Sequence, residues 1–375
     1  MSLLYIVAGI MGLGLLVVVH ETGHLLAARA SGMQVVRFSI GFGPPLLRYQ
    51  SKKSGTLYQV ALIPFLAYVQ IAGMNPFEEI DPDDKTSYAN ASLFARVFAI
   101  IAGPLANYVF ASVLFFICFA IGGVPKQTDK PIVEVMDKSA AQAGKLKSGD
   151  TITAVAGAKV TDFEGMRQQI VKSAGKPLLF DVTRGKQQLQ LTITPKNDGG
   201  VGRIGVQPVT RNVPVTMKEA GVLALTYPWL VVKNSMIELG KIITFQTKPV
   251  LSGPVGIVSE TSRAASEGWV SFVFLLGVIS AYLGGFNALP FPALDGGRLA
   301  FLGYEAITRR KPNARIEVVV HALGFAMLLT LIAIVTFSDT KKVINSASEK
   351  AEASATAPAA APPSSAPAPG TASKP

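Results

Sequence analysis

Residues 17–29 read VVVHETGHLLAAR, so two histidines and a glutamate follow directly on a run of valines. The apolar run that contains them begins near Leu3 and ends near Leu26. A helix of about 20 such residues crosses a bilayer core of about 30 Å. The run has no basic residues ahead of it, unlike a secretory signal peptide, and we therefore interpret it as a retained membrane anchor.

Three further stretches, residues 94–121, 269–289 and 316–337, are apolar enough to cross a bilayer. The whole chain is 49% apolar and only 16% charged, which is typical of membrane proteins. Its net charge of +11 is spread along the sequence without a groove-reading motif, which argues against nucleic acid as a partner. The sequence thus predicts an α-helical multi-span membrane protein with four transmembrane helices in a lipid bilayer.

Basic residues in the short loops predict how these spans are oriented, because such residues concentrate on the cytoplasmic side. They follow the first span and also separate the third span from the fourth: Arg29, Arg37, Arg48, Lys52 and Lys53, then Arg298, Arg309, Arg310, Lys311 and Arg315. We therefore expect the N-terminus, residues 124–268 and the C-terminal tail to be extracytoplasmic.

Residues 221–245 are a weaker apolar stretch that carries three charged side chains and Pro228. We interpret them as an amphipathic helix at the membrane interface, broken at the proline. A fifth span here would place His20 and Asp295 on opposite sides of the membrane.

His20 and His24 are four residues apart, and residues at this spacing share one face of a helix. Both imidazoles can then bind one metal ion. Glu21 can accept a proton from a water activated by zinc and pass it to the leaving amine, as a metalloprotease requires. A polar surface helix is the simpler interpretation of this HExxH string. Ionisable groups beside an apolar run are costly, however, and tend to be functional or paired.

Catalytic zinc takes three protein ligands and leaves a fourth position for water. Cys118 is the only cysteine, so the third ligand must come from a histidine or a carboxylate. Asp295 lies in the string NALPFPALDGG at residues 287–297, just after the third span and on the same predicted side as His20 and His24. The alternative for Asp295 is a loop cap beside two glycines.

Two further polar residues, His321 and Asn287, are weaker candidates for a role at the site. His321, in the fourth span, has no partner at a ligand spacing, and we favour packing or hydrogen bonding over metal ligation. Asn287 could donate a hydrogen bond to a substrate carbonyl or oxyanion. Hydrogen bonding between helices explains it equally well.

These motifs resemble the site-2 protease family of intramembrane metalloproteases, and within it the RseP-type bacterial regulators of envelope stress. The similarity extends from residue 1 to about residue 337, and its most specific part is the pairing of HExxH with NxxPxPxLDG. Beyond VVVHETGHLLAAR it includes RFSIGFGPPL at 37–46, ALIPFLAYV at 61–69, AGPLANYVFA at 102–111, LSGPVGI at 251–257 and NALPFPALDGGRL at 287–299. The resemblance implies one zinc ion per chain, bound by His20, His24 and Asp295, with Glu21 as the catalytic base.

The resemblance also implies where a substrate binds. Residues 57–71 would form a membrane-associated β-hairpin that clamps an unwound substrate as an added strand. The implied substrate contacts are Tyr68 and Val69 in this hairpin, together with Asn287, Pro290 and Pro292.

Residues 130–208 read as a small soluble α/β module, with β-type runs at 132–136, 151–155, 178–183 and 188–194 and a helical stretch at 162–172. The resemblance implies one inserted extracytoplasmic PDZ domain here, which binds a peptide or C-terminal ligand or filters substrates by size. Ile204, Gly205 and Val206 are the candidates for its carboxylate-binding loop, and a plain strand is the alternative.

The predicted organisation has five parts. They are 1–123 with two transmembrane helices, HExxH and the hairpin; 124–209 as the PDZ domain; 210–268 as interfacial helix and connector; 269–337 with the last two transmembrane helices; and 338–375 as a disordered Ala/Pro-rich tail.

We therefore expect a zinc metalloendopeptidase of the bacterial inner membrane whose active site faces the cytoplasm. It would cut within or next to the transmembrane segments of single-span proteins, such as anti-sigma factors already shortened by another protease, or remnant signal peptides. One alternative is a catalytically idle membrane adaptor that uses the PDZ domain. A metal-ion transporter is disfavoured, because the intramembrane polar residues cluster at one end of the spans.

Overall fold

The computed structural model describes residues 3–75, 77–79, 81–128, 130–246 and 253–355. Over these residues the helices are α1 (Leu3–Ala30), α2 (Leu93–Gly122), α3 (Ala140–Ala143), α4 (Phe163–Val171), α5 (Met217–Ile243), α6 (Pro254–Glu267), α7 (Trp269–Asn287), α8 (Asp295–Thr308) and α9 (Ala314–Ala355). The strands are β1 (Val35–Gln50), β2 (Leu57–Ile71), β3 (Val124–Gln127), β4 (Val133–Val135), β5 (Thr151–Val155), β6 (Ala158–Lys159), β7 (Leu178–Arg184), β8 (Gln187–Ile193), β9 (Lys196–Asp198), β10 (Val201–Arg203), β11 (Val206–Pro208) and β12 (Thr210–Val213).

Two compact units make up the chain. The first contains Met1–Asn107, Val232–Leu276 and Tyr282–Pro375, and the second contains Tyr108–Val231 and Gly277–Ala281.

Among the described residues, four helices are long and apolar enough to cross a membrane: α1, α2, α7 and the part of α9 from Ala314 to Thr340. Their mean hydropathy lies between 1.9 and 2.6, as expected of segments that face lipid. This confirms the predicted mainly helical class, with four candidate membrane-spanning helices. The chain is an integral membrane protein.

Helix α5 differs from the sequence prediction in one respect. It runs through Pro228 without interruption, whereas the prediction placed a break there. A proline removes one backbone hydrogen bond and bends a helix, but it does not have to end one.

The last helix also differs from the prediction. Helix α9 continues to Ala355, so residues 338–355, which we expected to begin a disordered tail, are helical. The stretch SASEKAEASA at 346–355 is rich in alanine, glutamate and lysine, which favour helix, and it extends a helix that has already nucleated. Residues 356–375 of the predicted tail, and residues 247–252 of the predicted connector, lie outside the described residues.

Strands β1 and β2 form a small sheet in the first unit. The prediction of a hairpin within 57–71 is wrong in detail, because this stretch is a single strand whose partner is β1. The connecting turn falls at residues 51–56, SKKSGT, where serine and glycine favour it, while 57–71 contains no glycine.

Both strands bend, so their halves take part in different pairings. Residues 37–40 lie opposite 57–60 in one register and opposite 67–70 in another, and residues 47–50 also lie opposite 57–60. Gly41 and Gly43, with φ of +88° and +94°, allow the bend in β1. Within the described part of the chain, residues 67–71 pair on one side only, so they form an edge of the sheet.

A cluster of buried side chains packs this sheet against the end of α1 and the beginning of α2. Its members are Leu25, Ala28, Met33, Val35, Phe38, Ile71 and Ala99. The close packing of these apolar side chains fixes the edge of β2 relative to the HExxH helix.

The second unit contains an α/β module with its own core. Strands β6, β5, β7 and β8 form a sheet in that order, and α4 begins at Asp162, whose side chain accepts a hydrogen bond from the Gly165 N–H. Thirteen buried apolar side chains between Val133 and Ile204 form the core. Strands β3 and β12 pair at the ends of the module, so its last strand ends at Val213, beyond the predicted boundary at 209.

Candidate metal centre

Three side chains meet at the centre of the first unit, although they come from distant parts of the chain. His20 Nε2 lies 3.0 Å from Asp295 Oδ2, His24 Nε2 lies 3.4 Å from the same oxygen, and the two Nε2 atoms are 3.2 Å apart. Both histidines are buried, and the Asp295 side chain is 19% exposed. The structure therefore brings together the three residues that the sequence analysis selected as ligands.

The triangle of ligand atoms is within a few tenths of an ångström of the size that zinc requires. Zinc bonds of about 2.0–2.2 Å in tetrahedral geometry place neighbouring ligand atoms about 3.3–3.5 Å apart. The three observed separations are 3.0, 3.2 and 3.4 Å. One cation would fit between these atoms with shifts of only a few tenths of an ångström.

The charge state of Asp295 also suits a cation. Burial alone would raise the pKa of its carboxyl, but hydrogen bonding to the rings of His20 and His24 outweighs burial, so the pKa lies well below its usual range. The carboxylate is therefore ionised at neutral pH, as a metal ligand must be.

The other ring nitrogens of the two histidines contact helix α2. His24 Nδ1 lies 2.8 Å from the carbonyl oxygen of Ala99, and His20 Nδ1 lies 3.1 Å from the side-chain amide of Asn107. Each Nε2 therefore faces the other ligands while each Nδ1 is held from behind. Sequence reasoning had not selected Ala99 or Asn107.

Glycines allow α1 and α2 to cross closely at this point. A side chain at Gly23 would overlap the Ala102 carbonyl, and a side chain at Gly103 would overlap His24 Nε2 and lie 2.9 Å from His20 Nε2. The backbone of α2 at Gly103, which has no side chain there, therefore forms one wall of the metal centre. Small residues at a helix crossing in a membrane permit this close approach.

Glu21 lies beside the triangle but is not one of its corners. Its Oε2 accepts a hydrogen bond of 3.0 Å from the backbone N–H of Val69 in β2. The carboxylate that follows the first ligand is therefore held at the edge strand.

A cavity of about 640 Å³ adjoins this edge. Residues 68–71 of β2, Ala293, Arg298 and the α9 residues His321 and Phe325 line part of it. The volume is in the range of ligand-binding clefts. Tyr68 and Val69, which the sequence analysis names as substrate contacts, line this cavity.

The turn before α8 positions Asp295. This residue is the first of the helix, and a side chain at Gly296 or Gly297 would collide with the backbone of residues 288–292. The turn is thus folded tightly against the helix start. Pro292 packs against Gly324 of α9, which gives this proline a structural role whatever it contacts in a substrate.

The remaining predicted site residues are not among the three ligand atoms of the triangle. Asn287 is half-buried at the last position of α7, and Pro290 lies in the turn that follows. His321 bonds through Nδ1 to the Glu317 carbonyl of its own helix, 2.9 Å away, which agrees with a role other than ligation. In the second unit, Ile204, Gly205 and Val206 line a separate cavity of about 400 Å³ next to α4.

Comparison with known proteins places this geometry in a family. The profile of peptidase family M50 matches residues 8–331. The chain is 30% identical to the zinc metalloprotease RasP of Geobacillus kaustophilus, over 90% of this chain and 98% of that protein. It is 27% identical to the zinc metalloprotease RasP of Oceanobacillus iheyensis, over 90% and 99% of the two chains. An Arabidopsis thaliana protein named as a probable chloroplastic membrane metalloprotease is 33% identical, over 87% of this chain and 77% of its own length. The chain belongs to peptidase family M50.

Proposed function

We propose that this protein is an intramembrane zinc metalloprotease in which His20, His24 and Asp295 bind one zinc ion and Glu21 is the catalytic base. The observation that carries the proposal is the buried triangle of two Nε2 atoms and one carboxylate oxygen, with sides of 3.0 to 3.4 Å. Peptidase relatives that match most of the chain support the same reaction.

The residues around the triangle have separate parts in peptide hydrolysis. Bound zinc supplies Lewis-acid chemistry, which polarises an oxygen and makes water a stronger nucleophile. Glu21 accepts a proton from the attacking water and then donates it to the leaving nitrogen. Asn287 donates a hydrogen bond to the substrate carbonyl as negative charge develops on its oxygen.

The edge formed by residues 67–71 is the proposed binding place for the substrate. A transmembrane helix hides its peptide bonds inside its own hydrogen bonding, so the substrate has to unwind before it is cut. An extended segment can then pair with Tyr68 and Val69 as an added strand, with Pro290 and Pro292 on its other side. The cavity beside this edge leaves room for substrate side chains.

We propose that the module from residue 124 to Val213 is a PDZ domain on the extracytoplasmic side of a bacterial inner membrane. Its separate core and the cavity lined by Ile204, Gly205 and Val206 support a peptide-binding module. The basic loops after α1 and around α8 support a metal centre that faces the cytoplasm.

The proposed substrates are single-span membrane proteins already shortened by another protease, with anti-sigma factors and remnant signal peptides as the candidate classes. The PDZ domain would bind the trimmed end of such a substrate or exclude bulky ectodomains. The alternative function is a catalytically idle adaptor that binds partners through this domain.

Cleavage of a tagged single-span peptide by the purified full-length protein in detergent tests the proposal. Wild type is compared with Glu21→Gln and Asp295→Ala, and bound zinc is quantified in each. We expect Glu21→Gln to keep zinc and lose at least about 1,000-fold in kcat, because a proton acceptor is removed while the ligands stay. Asp295→Ala should lose zinc and activity together.

The two variants also separate the proposed enzyme from the adaptor. An adaptor would show no cleavage in any form, wild type included, and would still bind partners after Glu21→Gln. Undiminished cleavage by the Glu21→Gln protein would contradict the catalytic role of this residue.

A further inference from the structure

Asn107 contacts a proposed metal ligand from the side opposite the metal. We propose that Asn107 is a positioning residue, whose amide oxygen accepts the Nδ1 proton of His20 and so keeps Nε2 of that ring available for zinc. This inference rests on the proposed function in one respect, since it concerns a zinc ligand.

The contact is short and enclosed. Asn107 Nδ2 lies 3.1 Å from His20 Nδ1, and Asn107 is fully buried at 0% exposure. Rotation of the terminal amide by 180° places Oδ1 at the same position. On the opposite side of the ring, His20 Nε2 lies 3.0 Å from Asp295 Oδ2. The imidazole is therefore held at both nitrogens.

The location of the proton on the His20 ring determines which end of the Asn107 amide faces it. A histidine that binds a metal through Nε2 uses the lone pair of that nitrogen, so its remaining proton is on Nδ1. The oxygen and nitrogen of an asparagine amide exchange places by rotation of the terminal group, and the hydrogen-bond partner determines which one faces it. Metal ligation by His20 therefore selects the orientation in which Asn107 presents its oxygen.

The second histidine shows the same arrangement with a different acceptor. His24 Nδ1 lies 2.8 Å from the Ala99 carbonyl oxygen. Ala99, Gly103 and Asn107 follow one another at intervals of four residues, so they share one face of α2. This face supplies a backbone acceptor to His24 and, in the proposed orientation of Asn107, a side-chain acceptor to His20. Gly103, between them, leaves space for both rings.

Partners of this kind affect metal affinity. A hydrogen bond from the distal ring nitrogen fixes the tautomer and orientation of a ligating histidine, and its loss weakens metal binding by about 10- to 100-fold. In a purely structural role, Asn107 would only link α1 to α2, and any polar side chain of similar size could replace it. The two roles differ in whether a hydrogen-bond acceptor is required.

The test measures zinc affinity of the full-length protein in detergent by competition with a chelator. Asn107→Leu keeps the size of the side chain but removes the hydrogen-bond acceptor. Asn107→Ala also removes the acceptor, without adding an apolar branch. Asn107→Asp keeps an acceptor at this position. We expect the Leu and Ala variants to bind zinc about 10- to 100-fold more weakly, and the Asp variant to stay within about threefold of wild type. Ser112→Ala, another buried polar position on α2, is the matched control and should bind zinc like wild type.

A spectroscopic readout accompanies the affinities. The chain contains only three histidines, so ring-labelled protein gives a simple set of imidazole signals. In the zinc-loaded Asn107→Ala protein, we expect the His20 Nδ1 proton to exchange faster with water, while that of His24, bonded to Ala99, is unchanged. Thermal unfolding of the metal-free forms shows whether a variant is folded, and the Ala variant tests the proposal if the Leu variant is not.

The outcomes separate this inference from the proposed function. Equal zinc affinity in wild type and all three variants would overturn the role of Asn107 and leave the protease proposal intact. Equal losses in the Ala and Asp variants would overturn it too, since a structural role would then explain the contact. A wild-type protein that binds no zinc would instead contradict the proposed function itself.

Discussion

Gly103 is the position in the metal centre where a side chain has no room. Its α-hydrogens face the Nε2 atoms of His20 and His24, and a methyl group there would overlap the second of them. We expect Gly103→Ala to weaken zinc binding about 100-fold or more, because the new carbon displaces a ligand atom itself. Chelator competition and cleavage rate measured on the same preparation check this.

Gly303→Ala is the matched control for this prediction. Gly303 lies in α8, which also begins with a proposed ligand, but a β-carbon there meets nothing within 4 Å. We expect this variant to keep zinc and to gain up to about 1 kcal/mol of stability, because alanine favours helix over glycine. Normal zinc affinity in Gly103→Ala would show that α2 does not approach the ligands as closely as described.

Individual residues differ in how much of their role the sequence reveals. Spacing and chemistry suffice to select His20, His24 and Asp295, because helix periodicity and ligand type restrict the choice. Asn107 and Gly103 escape this reasoning, since their importance depends on which face of α2 meets α1. A usable signal does exist, namely a glycine and an asparagine four residues apart in a predominantly apolar helix.

Among the smaller elements, the α/β module carries a buried ion pair that makes its stability depend on pH. Asp150 is 1% exposed, and its carboxylate accepts hydrogen bonds from the Arg184 guanidinium at 2.7 and 2.8 Å. Burial raises the pKa of Asp150, but the bonds from Arg184 and from the Lys147 N–H outweigh it, so the pKa lies below its usual value. The ion pair therefore stabilises the fold above the unfolded-state pKa, and this contribution is lost as pH falls through the folded-state pKa.

Urea unfolding of a fragment spanning residues 124–213 between pH 7 and pH 2.5 tests this. The fragment contains the whole buried core of the module. We expect Asp150→Asn to be less stable than wild type by a constant amount from pH 7 to about pH 5, and the difference to shrink below about pH 4. Asp137→Asn, at an exposed position, should leave the profile unchanged. A difference that does not change with pH would rule out the ion pair as its cause.

Elements are predicted well where the pattern is local. The four spans follow from hydropathy alone, and strands β5, β7 and β8 lie where the β-type runs were found. The pairing of β1 with β2 could not be predicted, because it depends on a bend at Gly41 and Gly43 that lets the same residues pair twice. The helical extension of α9 does not follow from the composition of an alanine-rich tail, because its helicity depends on the preceding helix that it continues.

Across the chain, the proposed zinc ion joins the first helix to the eighth. Its removal should therefore lower the thermal stability of the whole protein. A ligand present at 1,000 times its dissociation constant stabilises the folded state by about 4 kcal/mol. We expect the melting temperature in detergent to fall on chelation and to recover when zinc is added back.

Two variants calibrate that measurement. Glu21→Gln should melt like wild type with and without the chelator, because Glu21 is not a ligand. Asp295→Ala should melt at the temperature of chelated wild type and respond to neither treatment. If the chelator does not change the melting temperature of wild type, the metal does not link these helices.

The contact between His20 and Asp295 spans 275 positions of sequence. A ribosome that adds about 5 to 20 residues per second needs roughly 14 to 55 seconds to pass from one to the other. Throughout that interval the growing chain contains the HExxH helix but not yet Asp295, the third proposed ligand. If His20, His24 and Asp295 bind zinc as proposed, the metal site is incomplete until synthesis has passed residue 295. A chain truncated before that residue should then have no proteolytic activity.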